Sequence, residues 1–226
     1  MIKVISTSLL MFCLSILFGQ NTSIEVVYQI THENKKVNKS EMANMPDNIK
    51  SLVVKQMTNT SKVKHFYKLL SNGDTSKYVY DHSVFPEGIN GQHTGLDIYK
   101  DINQEKIIII SPVLPADTKI YERFPKKSMW NIIENEYKQI AGYKCQKAMS
   151  TDGKIIAWFT EQIKIKDGPD KYCNLPGLIL KINKNHGQKI IVAKKITIFD
   201  HRLKVNLPNR SKTITFKEYK NKILYK

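Results

Sequence analysis

The sequence predicts a mainly β protein: an antiparallel sheet curved into a half-barrel or barrel, with one covering helix at about residues 41–57. Three observations predict it. Short runs rich in Val, Ile, Thr, Tyr and Phe recur along the whole chain, and such residues suit a pleated, half-buried surface. Turn residues such as SNGD, FPEG and LPAD separate those runs. Only one segment carries apolar residues at helical spacing.

The elements follow in order. SIEVVYQITH alternates weakly and is rich in β-branched residues, so it opens the sheet. KSEMANMPDNIKSLVVKQM then places Met42, Met45, Ile49, Leu52, Val53 and Met57 three and four residues apart. Pro46 suits the first turn of a helix. The expectation is a helix that lays this Met-rich stripe on the sheet. KVKHFYKLL, SKYVYD, LDIYK, EKIIIIS and TKIYERF read as further strands. GYKCQKAMS and KIIAWFTE, separated by TDG, read as a hairpin. GLILKIN and KIIVAKKITIF, separated by KNHGQ, read as another. KTITFKEY reads as the strand that closes the sheet.

The ends and the composition bound the class. MIK followed by VISTSLLMFCLSILF has the charged start and short apolar run of a secretory signal peptide over residues 1–19. An uncleaved N-terminal anchor is the alternative. A lipoprotein at Cys13 fits poorly, because bulky Phe12 precedes it. Residues 20–226 then read as one β-rich domain, exported to the periplasm, secreted or held at the outer membrane. No transmembrane span is expected in the mature part.

Two cysteines remain in that part, Cys145 and Cys173. An even pair in an exported chain suggests a disulfide, with two separate buried thiols as the alternative. The bridge would close a loop of roughly 28 residues, worth about 3.5 kcal/mol in the chain-entropy model. The formal charge is +16, from 36 Lys and Arg against 20 Asp and Glu. That surface favours anionic partners. The lysines are dispersed, no basic cluster with interleaved aromatics stands out, and no nucleic-acid module is present, so a nucleic-acid partner is not expected.

The usual signatures of catalysis are missing. There is no GxSxG turn, no HExxH, no paired-cysteine zinc spacing and no Gly-rich phosphate loop. No catalytic, cofactor-binding or metal-ligating set is therefore assigned, and no cofactor is expected. A hydrolase with dispersed residues would draw on His82, His93, Asp97 and Glu122.

One stretch stands apart: GYKCQKAMSTDGKIIAWFTEQIKIKDGPDKYCNLPGLILKI. The order GYKC-KA, AWFT, DGP, LPGLIL resembles the GLPGLI family of exported Bacteroidota proteins, closely from Ile140 to Ile182. The positions that carry the resemblance are Gly142, Tyr143, Trp158, Gly168, Pro169, Leu175, Pro176, Gly177 and Leu178. Asn174 departs from it, standing where the family motif begins with glycine. Asn tolerates left-handed backbone angles better than most residues, so the turn can survive. The resemblance implies an exported β-rich protein and supplies no activity.

Physically, Pro169 and Pro176 fix φ, while Gly168 and Gly177 let the chain bend before Leu178 enters a buried strand. Trp158 is expected on the core face, packed against that apolar run. CNLPGLIL thus reads as a corner pinned by Cys145 and Cys173. The function expected is a non-enzymatic binding or carrier protein for an apolar or anionic ligand, such as a lipid. The alternatives are a scaffold docking on outer-membrane proteins, and the dispersed hydrolase.

Overall fold

The computed structural model describes residues 22–32, 45–89, 91, 95–124, 129–209 and 212–224. The expected signal peptide lies outside the described residues. The strands are β1 (Ser23–His32), β2 (Lys64–Ser71), β3 (Thr75–Val84), β4 (Asp97–Asp101), β5 (Lys106–Ile110) and β6 (Thr118–Arg123). They continue with β7 (Trp130–Ile140), β8 (Tyr143–Ser150), β9 (Ile155–Thr160), β10 (Leu178–Lys184), β11 (Lys189–Phe199) and β12 (Lys212–Thr215). The helices are α1 (Asp47–Lys62) and α2 (Phe216–Leu224).

All twelve strands form one sheet, in the order β12-β6-β5-β4-β3-β2-β1-β11-β10-β9-β8-β7. Every pairing is antiparallel except β12 with β6. The mainly β expectation holds. The sheet is open: β7 and β12 are its two edges.

The sheet must nevertheless curl. β6 and β7 are ten strand steps apart in the order, or about 48 Å across a flat sheet. Only seven residue steps join Arg123 to Trp130, a reach of at most about 25 Å. Register shifts at Val27/Tyr28, Phe66/Tyr67, Ile132/Tyr137 and Ile179/Lys181 supply places to bend.

Paired residues share a face of the sheet, so the register gives the inner face directly. One core row runs Val26, Leu69, Tyr78, Ile98, Ile109, Ile120, each buried and each opposite the next. A second runs Ala148, Ala157, Ile182, Ile191, Ile30.

The tight turns follow from residue type. Ala141 and Gly142 both take positive φ (49° and 86°), as a two-residue turn between β7 and β8 requires. Asn185 and His186 do the same between β10 and β11 (49° and 54°). In the β2–β3 turn, Asn72 Oδ1 accepts from the amides of Asp74 and Thr75 (3.1 and 2.9 Å). Both expected hairpins form, β8 with β9 and β10 with β11.

Three details differ from the sequence reading. The helix runs Asp47–Lys62, later than 41–57, and Met42 lies outside the described residues. Ile49 and Leu52 of the helix, and Met45 before it, are exposed rather than laid on the sheet. KTITFKEY is a strand of four residues that turns into α2. A capping box stops the strand: Glu218 N donates to Thr215 Oγ1 (3.2 Å), and Thr215 N donates to Glu218 Oε2 (2.6 Å). WNIIENEYKQI, not recognised as a strand, forms β7. As an edge strand it buries little beyond Trp130 and Ile140, so no alternation marks it.

Candidate functional site

The segment between β9 and β10, residues 161–177, lies against the inner face. Its DGPD stretch meets a lysine that the core would otherwise exclude. Lys100 sits on β4 in the inner row Ser71, Ser76, Lys100, Ile107. Its ammonium is 2.5 Å from Asp167 Oδ1, and both side chains are fully buried. Lys100 Nζ also donates to the carbonyls of Gly168 (2.6 Å) and Asp170 (3.1 Å). Gly168 N donates to Asp167 Oδ1 (2.7 Å).

Further contacts hold the segment from other strands. Lys171 pairs with Glu122 of β6 (3.0 Å), and Lys189 of β11 pairs with Asp170 (3.1 Å). Trp130 Nε1 of β7 donates to the Cys173 carbonyl (3.0 Å). Burial pushes the Asp170 carboxyl up, but the lysines 189 and 171 and the Lys171 amide outweigh it and hold the group below its ordinary value. The segment thus ties strands from both ends of the sheet order to one plug, and its Ile163 and Leu175 are fully buried.

The glycines of the motif serve close approach. A Cβ on Gly177 would collide with the Thr160 carbonyl and lie 2.9 Å from Glu161 Cα; one on Gly168 would lie 2.7 Å from Ile179 Cβ. The left-handed angles fall instead on Asp170 (φ 56°) and Asn174 (φ 70°). Leu175 and Leu178 are buried in the core.

Cys145 and Cys173 are free, buried thiols in this structure, which shows no bridge between them. Each turns to a carbonyl two residues earlier: Cys145 to Tyr143 O (3.4 Å) and Cys173 to Lys171 O (3.8 Å). Burial raises both, Cys145 to about 11 and Cys173 to about 12. The Trp130 bond to the Cys173 carbonyl pins the corner where the disulfide was expected to.

The described members of the dispersed hydrolase set each have a partner of their own. His82 pairs with Asp81 (2.8 Å) and stacks on Phe66. Asp97 Oδ1 accepts from Tyr80 N (3.1 Å), and Glu122 holds Lys171. His93 lies outside the described residues. Among the described residues no group of three His, Cys, Asp or Glu side chains is placed to hold a metal.

The outer face presents a different arrangement. Trp158, expected in the core, is half-buried; its neighbours Ala157 and Phe159 take the inner side. The register places it in a transverse outer row: Lys147, Trp158, Lys181, Val192, Gln29, Phe66, His82. That row crosses six strand steps, about 29 Å. Lys138 Nζ lies 3.7 Å from the centroid of the Trp158 ring, within cation–π range. Burial, then Lys181 through charge and hydrogen bonding, and Lys147 through charge, bring Lys138 down to about 8. Lys147 pairs with Glu136 (2.8 Å).

Sequence reasoning missed this row, because its members lie on seven different strands and converge only through register. The alternation of AWFT against buried Ala157 and Phe159 was the one local signal. The row offers flat aromatic surface, ammonium donors, an imidazole and an amide.

The comparisons with known proteins bear on the fold. Residues 116–221 match the family model of the N-glycanase peptide, N-terminal domain. That segment holds the plug, Trp158 and the lysines around it. Structures of PNGF-II in space groups P21 and C2 resemble the chain with TM-scores of 0.57 and 0.54, at 16% and 15% identity, over 90% of this chain. No curated protein matches. The chain spans about a third (33%) of the length of the PNGF-II structures, and what it shares with them is the fold of that part.

Proposed function

We propose that this chain is an exported, non-enzymatic binding module of the GLPGLI type that takes a glycan on its outer face. The carrying observation is the Trp158 ring, half-buried under Lys138 in a row of aromatic, amide and basic side chains. An indole ring offers the apolar face of a sugar a stacking surface, and the neighbouring polar groups offer it hydrogen bonds. The match of residues 116–221 to the N-terminal domain of an N-glycanase supports a glycan rather than another ligand. The plug supports the outer face: residues 161–177 already cover the apolar inner surface on which a lipid carrier would depend.

Calorimetric titration of residues 20–226 with a complex-type N-glycan tests this reading. Binding that is lost in Trp158→Ala, with the thermal melt unchanged, is the expected result. Full binding by the variant, or none by the parent, overturns it.

A second reading is favoured by one observation. Edge strand β7 exposes Ile132 and Tyr137, and an open edge can accept a partner strand. On that reading the chain is a scaffold for an outer-membrane protein, and cross-linking from β7 in native envelopes would capture that protein.

A further inference from the structure

We propose that Lys138, Lys147 and Lys181, gathered around Trp158, form a subsite for the acidic group of a glycan, a sugar carboxylate or sulfate ester whose ring stacks on the indole. This rests on the glycan reading above and narrows it to an acidic class.

The geometry comes first. Lys147 and Lys181 stand directly opposite Trp158 on the two flanking strands, so all three side chains leave the same face about 5 Å apart. Lys138 closes the group from β7, with its ammonium over the ring. Trp158 therefore has a cation on each side and one above.

The charges come next. Glu136 partners Lys147. Lys138 and Lys181 face each other, close enough for their charges to interact. Cys145, opposite Lys138 in the register, stays a neutral thiol because burial raises it to about 11. Like charges brought together on a partly desolvated surface repel, and the lowered Lys138 value records that repulsion together with burial. Solvated lysines on a basic surface spread apart; these converge on one ring. An anion seated between Lys138 and Lys181 would relieve the repulsion with charge-assisted hydrogen bonds.

An acidic sugar meets both halves of the site, with C–H groups for the indole and an anion for the ammoniums. A lipid headgroup or a free inorganic anion shares only the second half. Above pH 8 Lys138 gives up its proton, so an anion held there should bind more weakly as the pH rises from 7 to 9.5.

The test is a titration of residues 20–226 with four probes at fixed ionic strength: a sialylated N-glycan, its asialo form, inorganic sulfate, and phosphatidylglycerol vesicles. The sialylated glycan should bind about tenfold tighter than the asialo form, the value of one charge-assisted hydrogen bond. Lys138→Gln/Lys181→Gln should erase that preference, and Trp158→Ala should remove binding of both glycans. Equal binding of the two glycans, or a preference that survives the lysine changes, overturns the subsite and leaves the glycan reading standing. Binding of sulfate or vesicles alone, or of no probe, overturns both. Unchanged thermal melts of the variants make each outcome a statement about binding.

Discussion

Lys100 and Asp167 form an ion pair at 2.5 Å with both side chains shut off from solvent. They belong to β4 and to the β9–β10 segment, five strand steps apart in the sheet. Desolvating two charges is costly, and their attraction only roughly offsets it against an apolar pair. What the pair contributes is position: it selects one seating of the plug.

That argument predicts asymmetric mutants. Lys100→Met leaves Asp167 buried without its cation and strips a donor from the Gly168 and Asp170 carbonyls. It should cost about 3–5 kcal/mol in urea unfolding. Adding Asp167→Ala should recover part of that loss, with a coupling of about 1–3 kcal/mol. Additive losses would show that the pair does not act as a unit.

The Pro-Gly of the plug gives a second prediction. A Cβ at Gly177 meets the backbone of Thr160 and Glu161, with Thr160 C at 2.7 Å and Glu161 Cα at 2.9 Å. Thr160 is held in the ladder opposite Leu178 and its backbone cannot move aside freely, so Gly177→Ala should cost more than about 4 kcal/mol and deplete soluble protein. Gly142→Ala has open space around it and only the positive φ to contend with, so it should cost about 1–2 kcal/mol. Chemical denaturation of the two variants separates close approach from backbone angle.

The thiols give a third. Burial keeps Cys145 and Cys173 protonated, raised to about 11 and about 12, and the thiolate is the reactive form. Native protein should therefore react with a thiol-specific reagent at under about 1% of the rate of unfolded protein, and unfolding should release two thiols from residues 20–226. An intact mass two hydrogens short would restore the disulfide.

The sequence made the fold class and the corner legible, because local chemistry dictates both. Turn residues and β-branched runs mark most strands, and Asn174 was recognised as tolerant of the left-handed angle it adopts (φ 70°). DGP and LPG stood out as motifs, but not their partner: Lys100 lies 67 residues before Asp167, in a strand that gives no local sign of burying a charge. Trp158 was misplaced because a tryptophan in a β run suggests core, while alternation with Ala157 and Phe159 turns it outward. Cysteine count suggests a bridge but carries no sign of the carbonyl each thiol faces in the fold. β7 was missed because an edge strand need not alternate.

The last prediction concerns Lys138, whose folded value of about 8 lies below the ordinary 10.5 because of burial and the adjoining Lys181 and Lys147. Below pH 8 the residue is charged in both folded and unfolded chains, and the folded state bears the full unfavourable cost. Between about 8 and 10.5 the unfolded chain binds more protons than the folded one, so stability from this site rises with pH across that window. Lys138→Met removes the titration. Relative to this variant, the parent should therefore gain stability as the pH goes from 7 to 10, read as a shift in the urea midpoint. The Lys68→Met change, on a lysine whose value is raised by its hydrogen bond and ion pair with Asp81, should show no such gain. A parent-to-Lys138→Met difference that stays flat with pH would mean that Lys138 sits free of the cluster around Trp158.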